Sequence, residues 1–259
     1  MFIDRISDPD HLPPLRLVRD AIAEGHHLRG AVIALGNFDG FHRGHRHLIG
    51  RAQQIAAGRR PVAVMSVEPH PRQFFGVPGM QRIALPAQKH VFGRILGLDY
   101  IFEPSFDRAF AGQSPEEFVA GILHRSLGVS HVVTGADFRF GAGRRGDVET
   151  LERLAAPLGI RVEAVSLLED YSSSSIRAAL ADGDLRSAGR ALGRFWEAAV
   201  TCEADEVRLA DQVVRPTPGS YTVADPIQGN TFEVRVDGSG RLRGLAATLE
   251  RVVFLTASP

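Results

Sequence analysis

Cysteine is nearly absent: the 259-residue chain contains one, Cys202. An intrachain disulfide is impossible, and so is a metal centre built on several thiolates. No run of about 18 apolar residues occurs, which excludes a hydrophobic membrane-spanning helix. The opening segment, MFIDRISDPDHLPP, lacks the apolar stretch of a secretion signal, so the expected location is cytoplasmic. Excess charge of one sign is missing as well. Thirty Lys and Arg balance thirty Asp and Glu, which argues against a surface devoted to nucleic acid or membrane, though not against one basic pocket. No Ser-His-Asp triad and no paired-carboxylate signature is visible.

What remains is a core-forming chain, 44% hydrophobic and 23% charged. Its length exceeds the ~100–200 residues of a typical domain, so one large domain or two unequal ones are expected. Short apolar runs recur along its first two thirds: AVIALG (31–36), PVAVMSV (61–67), DYIFE (99–103), HVVTG (131–135) and IRVEAVS (160–166). They read as buried strands. Helical patterns alternate with them over 45–57, 85–98, 114–128 and 147–159. The third opens on Ser114, Pro115 and Glu117, a capping box with proline at the first helical position, and it closes on Gly128. This alternation predicts a doubly wound α/β domain with a parallel sheet over about 1–187. From about 188 to 259 the segments become short, turn-punctuated and alternating, which predicts a small antiparallel β module.

In an open parallel sheet, ligands bind at the carboxyl ends of the strands. Each unusual cluster follows a predicted strand: GNFDGFHRGH, EPHPRQFF (68–75), EPSFDRAFAG (103–112), GADFRFGAGRRG (135–146) and EDYSSSSIR (169–177). Together they suggest a single pocket. In the first cluster His42 and His45 are three apart, so at a helix start they share a face. Gly44 lets an anion approach the backbone, and a helix N-terminus offers free N–H groups. The combination reads as a phosphate cradle. Ser173, Ser174 and Arg177 begin a second capped helix, with Ile176 and Leu180 on its apolar face and Gly183 at its end.

Gly36, Phe38, Asp39, Gly40, His42, Gly44 and His45 resemble the signature of the nucleotidylyltransferase superfamily with a His-x-Gly-His motif. Three further stretches, VEPHPRQFF, TGADFRFGAGRRGD and SSSSIRAAL, are similar in family order to bacterial bifunctional riboflavin kinase/FMN adenylyltransferases. The likeness covers about residues 30–195. A family Thr is replaced by Ser174, which keeps the hydroxyl.

The resemblance implies transfer of AMP from ATP to FMN, giving FAD and pyrophosphate. On that reading His42, His45 and Arg177 are catalytic. Gly36, Asn37, Phe38, Gly44, Ser173 and Ser174 bind ATP phosphates. Pro69, His70, Pro71, Asp137, Phe138 and Phe140 meet the flavin or nucleotide. For His70, ligand contact and helix capping both stand. Phe138 and Phe140 either line a flat-ring pocket or pack the core, and Arg144 and Arg145 read as a solvated basic loop. Mg²⁺ is implied with ATP, held by substrate phosphates rather than a dedicated cage. ATP and FMN are the expected partners; nucleic acid and membrane are not. The family's Pro-Thr-Ala-Asn kinase motif is missing, and PTPG (216–219) does not replace it. The C-terminal module therefore reads as a shortened barrel remnant without kinase activity, kept for packing, homo-oligomer assembly or partner contact. Transfer to another phosphate ester, and non-catalytic flavin or nucleotide sensing, are the alternatives.

Overall fold

The structure, a computed structural model, describes residues 14–166, 171–203, 206–245 and 249–257. Six strands form a fully parallel sheet: β1 (Arg16–Val18), β2 (Val32–Leu35), β3 (Val62–Met65), β4 (Tyr100–Phe102), β5 (His131–Gly135) and β6 (Arg161–Val165), in the order β1-β4-β3-β2-β5-β6. The expected five strands are all present. β1 is an addition; three residues at a sheet edge are too few to show a period in the sequence.

The central strands are apolar throughout because both faces are covered. On β2, Val32 and Ala34 enter one core with Leu48, Ile49, Ala52 and Val64. Ile33 and Leu35 enter the opposite core with Met65, Phe102 and Val132. This is the period-two alternation of a strand, with hydrophobic layers on both sides.

Helix α1 (Arg43–Ala56) follows β2 and buries Leu48, Ile49, Ala52 and Ala56 on its sheet-facing side. The short α2 (Pro71–Phe74) follows β3, and α3 (Pro86–Ile95) follows it. A short α4 (Arg108–Ala111) lies after β4. Next, α5 (Pro115–Glu117) begins on the expected capping box: Ser114 Oγ accepts from Glu117 N–H at 3.1 Å, and Glu117 Oε2 accepts from Ser114 N–H at 2.7 Å. It then continues as a π-helix, Phe118–Ser126. The wider π winding differs from the regular helix expected there, since apolar spacing does not separate the two windings over nine residues. α6 (Val148–Ala155) follows β5 and is capped by Asp147. α7 (Ser173–Ala181) and α8 (Leu185–Leu192) complete this part of the chain. Residues 187 and 188 both lie within α8.

The C-terminal part holds six antiparallel strands: β7 (Trp196–Glu203), β8 (Glu206–Leu209), β9 (Gly219–Ala224), β10 (Thr231–Val236), β11 (Leu242–Arg243) and β12 (Arg251–Ala257). Their order is β11-β10-β9-β12-β7-β8. A bridge between Arg208 of β8 and Arg241, just before β11, brings the two outer strands together, so the sheet curls into a small, nearly closed barrel. The curl leaves little free edge exposed.

The barrel shares a core with the parallel-sheet part. Ile83, Ile176, Leu180, Ala188 and Leu192 pack with Trp196, Val223, Val252 and Phe254. Polar bonds stitch the same seam. Arg82 N–H donates to Gln212 O at 2.7 Å, and Val214 N–H donates to Arg82 O at 3.0 Å. Trp196 Nε1–H donates to Ile83 O at 3.0 Å.

Candidate active site

The sheet reverses its direction of winding between β2 and β5, the usual place for a ligand crevice. The loop 36–42 leaves β2 there. Phe38 and Phe41 are buried with φ of 48° and 44°, in the left-handed region that side chains rarely adopt. Such strain persists only where surroundings over-determine it, and it concentrates at functional sites. Gly40 has φ of 79°, and a Cβ on it would lie 2.6 Å from Ile83 Cγ2. Only glycine fits that bend.

Asp39 fixes the loop. It is fully buried, and its carboxylate accepts from Ile83 N–H at 3.0 Å and Ala84 N–H at 3.2 Å. Arg177 Nη1 on α7 donates to Asp39 Oδ2 at 2.9 Å. The buried charge is thus paired and hydrogen-bonded, as burial requires. Ser173 Oγ reaches Asp39 O at 3.5 Å, and Arg177 Nη2 lies 3.4 Å from Ser174 Oγ. The first and fifth clusters therefore meet. Glu169 and Asp170 of the fifth cluster, and residues 1–13, lie outside the described residues.

His42 caps α1, and its Nδ1 accepts from His45 N–H at 3.4 Å. The two imidazoles stack with centroids 3.6 Å apart. A Cβ on Gly44 would come within 3.2 Å of the His42 ring, so glycine keeps that ring in place. Burial, followed by the positive fields of Arg194, Arg46 and Arg177, lowers the His42 pKa to about 4. Burial and its neighbours His42 and Lys89 hold His45 well below the ordinary value. Both rings are neutral at pH 7. Since His42 Nδ1 is an acceptor, its proton sits on Nε2, which is left as a donor. His45 Nδ1 is buried without a hydrogen-bond partner among the described residues.

His70 lies on the loop leaving β3, between Pro69 and Pro71. It caps α2, its Nδ1 accepting from Arg72 N–H at 3.1 Å. Burial, then Arg82, Arg177, Lys89 and Arg72, pushes its pKa to about 3. Its observed bond is the cap, and its ring lies within the positive field of Arg82 and Arg177.

Two buried cations had no motif to announce them. Lys89 on α3 donates to Ser66 Oγ at 2.7 Å and lies 3.6 Å from Glu68 Oε2. Burial, then Arg82, lowers its pKa, against the pull of Glu68, Glu103 and Asp39. Arg82 is fully buried and donates from Nη1 to Glu68 Oε1 at 2.6 Å. Ser66 in turn donates to Asn37 O at 3.2 Å, tying the β3 end to the histidine loop.

Beyond β5, Asp137 is exposed. Phe140 is buried in the core, and Phe138 is half-buried and stacked on it at 5.7 Å. Phe138 and Phe140 end a continuous strip of rings that runs through Phe118, Phe110 and Phe106 to Phe74 and Phe75. The strip crosses the carboxyl ends of β3, β4 and β5, and Phe75 is 66% exposed. Arg144 and Arg145 are exposed on the following loop, Arg144 with φ of 57°.

The family described as FAD synthetase matches residues 24–177, more than half of the chain. The chain belongs to that family. The FAD synthetase of Listeria monocytogenes is 33% identical over 199 residues, covering 74% of this chain and 80% of its relative. The bifunctional riboflavin kinase/FMN adenylyltransferase of Escherichia coli is 36% identical over 170 residues. That match covers 63% of this chain, and the chain spans about half of the relative, 54%. A crystal structure of a macrolide-efflux protein from Streptococcus pneumoniae superposes with a TM-score of 0.79 at 23% identity. It covers 95% of this chain and 90% of its own, so the two-part fold is shared along nearly the whole length.

Proposed function

We propose that the chain transfers AMP from ATP to FMN, giving FAD and pyrophosphate. One observation carries the reading: the neutral, stacked His42–His45 pair at the start of α1, beside an Arg177 held by buried Asp39. An FMN phosphate oxygen attacks the α-phosphorus of ATP, and the bond to pyrophosphate breaks. The electron pair leaves on the pyrophosphate oxygen. The attacking phosphate monoester is largely dianionic at pH 7, with a second pKa near ~6, so no strong base is required. The reaction needs positioned donors for the charge that moves. His42 Nε2–H, His45 and Arg177 supply them, with Gly36, Asn37, Phe38, Gly44, Ser173 and Ser174 around the phosphates. His45 Nδ1, unpartnered as it stands, gains a partner when a phosphate arrives.

The phenylalanine strip supports a flat-ring acceptor, because aromatic faces stack on isoalloxazine. Pro69, His70, Pro71, Asp137, Phe138 and Phe140 are assigned to that side. Among the described residues no three His, Cys, Asp or Glu side chains converge to hold a metal. Magnesium would then ride on the ATP phosphates, where it neutralises charge. No described helix is long and apolar enough to cross a membrane, and the reaction is assigned to the cytoplasm.

The barrel is assigned no riboflavin kinase activity. It lacks the Pro-Thr-Ala-Asn segment, and the loop after β8 instead pairs with Arg82. The test is an endpoint assay with ATP and Mg²⁺, run in parallel on FMN and riboflavin and read by chromatography. FAD from FMN, with nothing from riboflavin, is expected. No FAD from FMN would reject the reading and leave transfer to another phosphate ester or ligand sensing.

A further inference from the structure

A cavity distinct from the His42–Arg177 crevice is present among the described residues. It has a volume of about 1300 Å³ and lies between the two parts of the chain. One wall is the start of α1 and the apolar side of α3, a second is α8, and the third is β12 with the β9–β10 turn. Its volume exceeds the ~300–1,000 Å³ of common small-molecule sites. Phe41 and Arg43, the neighbours of His42, line it, whereas His42, His45, Lys89 and Arg177 do not. It therefore meets the histidine loop on a side that the His42 and His45 rings do not line.

Five guanidiniums line this cavity: Arg43, Arg46, Arg186, Arg190 and Arg194. None of them forms an ion pair with a carboxylate of the described residues. The three acids at the cavity spend their hydrogen bonds on other groups, and Asp184 and Glu197 act on Arg190 and Arg194 only through space. Asp184 caps α8 through Ser187 N–H at 2.9 Å, and Glu197 accepts from Arg251 Nη1 at 2.8 Å. Asp225 takes the amides of Ile227 and Gln228 at 2.7 and 3.1 Å. Arg46 and Arg194 bond only to neutral partners, the carbonyls of Leu192 and Gly40, and Arg194 lies 3.8 Å over the Phe92 ring. Burial, then Arg46, lowers the Arg194 pKa to about 10, against the pull of Glu197; burial and Arg43 lower that of Arg46. An anion in the cavity would relieve that repulsion.

The remaining wall is apolar: Phe92, Ile95, Leu96, Val253 and Leu255 face the same space, and Phe195 at its edge is 43% exposed. Guanidiniums from three segments together with a hydrocarbon lining describe an amphipathic ligand. We infer that this intermodule cavity is a second small-molecule site, which takes an organic phosphate carried on an apolar ring body. Phosphate is favoured over carboxylate because the guanidiniums approach from α1, α8 and the segment before β7. A tetrahedral anion accepts forks from several directions, while a planar carboxylate offers one edge. A molecule bound there touches the histidine loop without entering the reaction pocket. The site does not depend on the adenylyl-transfer reading.

The test is calorimetric titration of the full chain with 1-naphthyl phosphate, alone and in saturating ATP. One saturable site that persists in ATP is expected. The double variant Arg186→Ala/Arg190→Ala, on the exposed side of α8, is expected to weaken it at least about tenfold, as loss of a charge-assisted hydrogen bond does. Phe195→Ala is expected to weaken it as well, and neutral 1-naphthol to bind at least about tenfold more weakly. Complete displacement by ATP, or unchanged affinity in the arginine variant, would overturn the site. Equal affinity for 1-naphthoate would overturn the phosphate assignment.

Discussion

Arg177 Nη1 sits 2.9 Å from the carboxylate of Asp39, whose side chain is fully buried. The pair joins the loop after β2 to α7 across 138 residues of sequence. It also makes Asp39 the hub of the site, since the same carboxylate takes the Ile83 and Ala84 amides. Asp39→Ala leaves a guanidinium and two amides without their acceptor. Breaking a buried pair in this way typically costs about 3–5 kcal/mol. Denaturant unfolding is expected to report a loss of that size, together with lower turnover as Arg177 loses its orientation. Wild-type stability in Asp39→Ala would refute the hub.

His42→Ala and His45→Ala are each expected to reduce turnover about 10²-fold or more, the usual effect of removing one preorganised donor. The stacked rings make the two losses non-additive, so the double variant falls well short of the product. Single-turnover rates on purified variants decide this. Wild-type rates in either single variant would remove the mechanism.

Stability is expected to fall on acidification, with a sign set by the buried histidines. His42 titrates at about 4 and His70 at about 3 in the fold, below the 6.5 of a free imidazole. Between those values the unfolded chain binds more protons than the folded one. The stabilisation is therefore complete above pH 6.5 and is lost as pH falls through 6.5 towards 4. At pH 5 the loss is on the order of 2 kcal/mol for each ring. Melting temperatures measured from pH 8 to pH 5 check it. His42→Asn keeps a capping acceptor and removes one titrating group, so its slope is expected to be shallower. An equal slope would show that His42 does not carry the effect.

Much of this was legible in the sequence. The strands at 31–36, 61–67 and 131–135 announced themselves as apolar runs, because a doubly covered strand has no polar face to show. The placement of His42 and His45 together at a helix start was legible too, since glycine and helix-start chemistry are local. What stayed hidden was long-range. Lys89 reads as an ordinary charged position in α3, and only the fold turns it towards Ser66. Arg82 lies in a segment with no motif, yet it is fully buried against Glu68. Asp39 was visible within the signature, but its partners lie 44 and 138 positions away. Phe140 was ambiguous between ring pocket and core, and it is buried in the core while stacked on half-buried Phe138.

The seam between sheet and barrel makes a final prediction. Trp196 begins β7, is almost fully buried, and stacks on Phe254 at 4.8 Å. Its Nε1–H donates to Ile83 O at 3.0 Å, and the Ile83 N–H donates to Asp39. One residue of the 82–84 loop thus faces the barrel through its carbonyl and the candidate active site through its amide. Trp196→Ala opens a large cavity and is expected to cost about 3–5 kcal/mol. Trp196→Phe keeps most of the ring and strands the Ile83 carbonyl, at a cost of about 1–3 kcal/mol. If the barrel holds the loop in place, Trp196→Phe lowers turnover even at temperatures where it remains folded. The two parts share one core, so the wild-type protein is expected to melt in a single calorimetric transition. Two separated transitions, with full turnover after the first, would show that the barrel is a passenger rather than a support for the Asp39 hub.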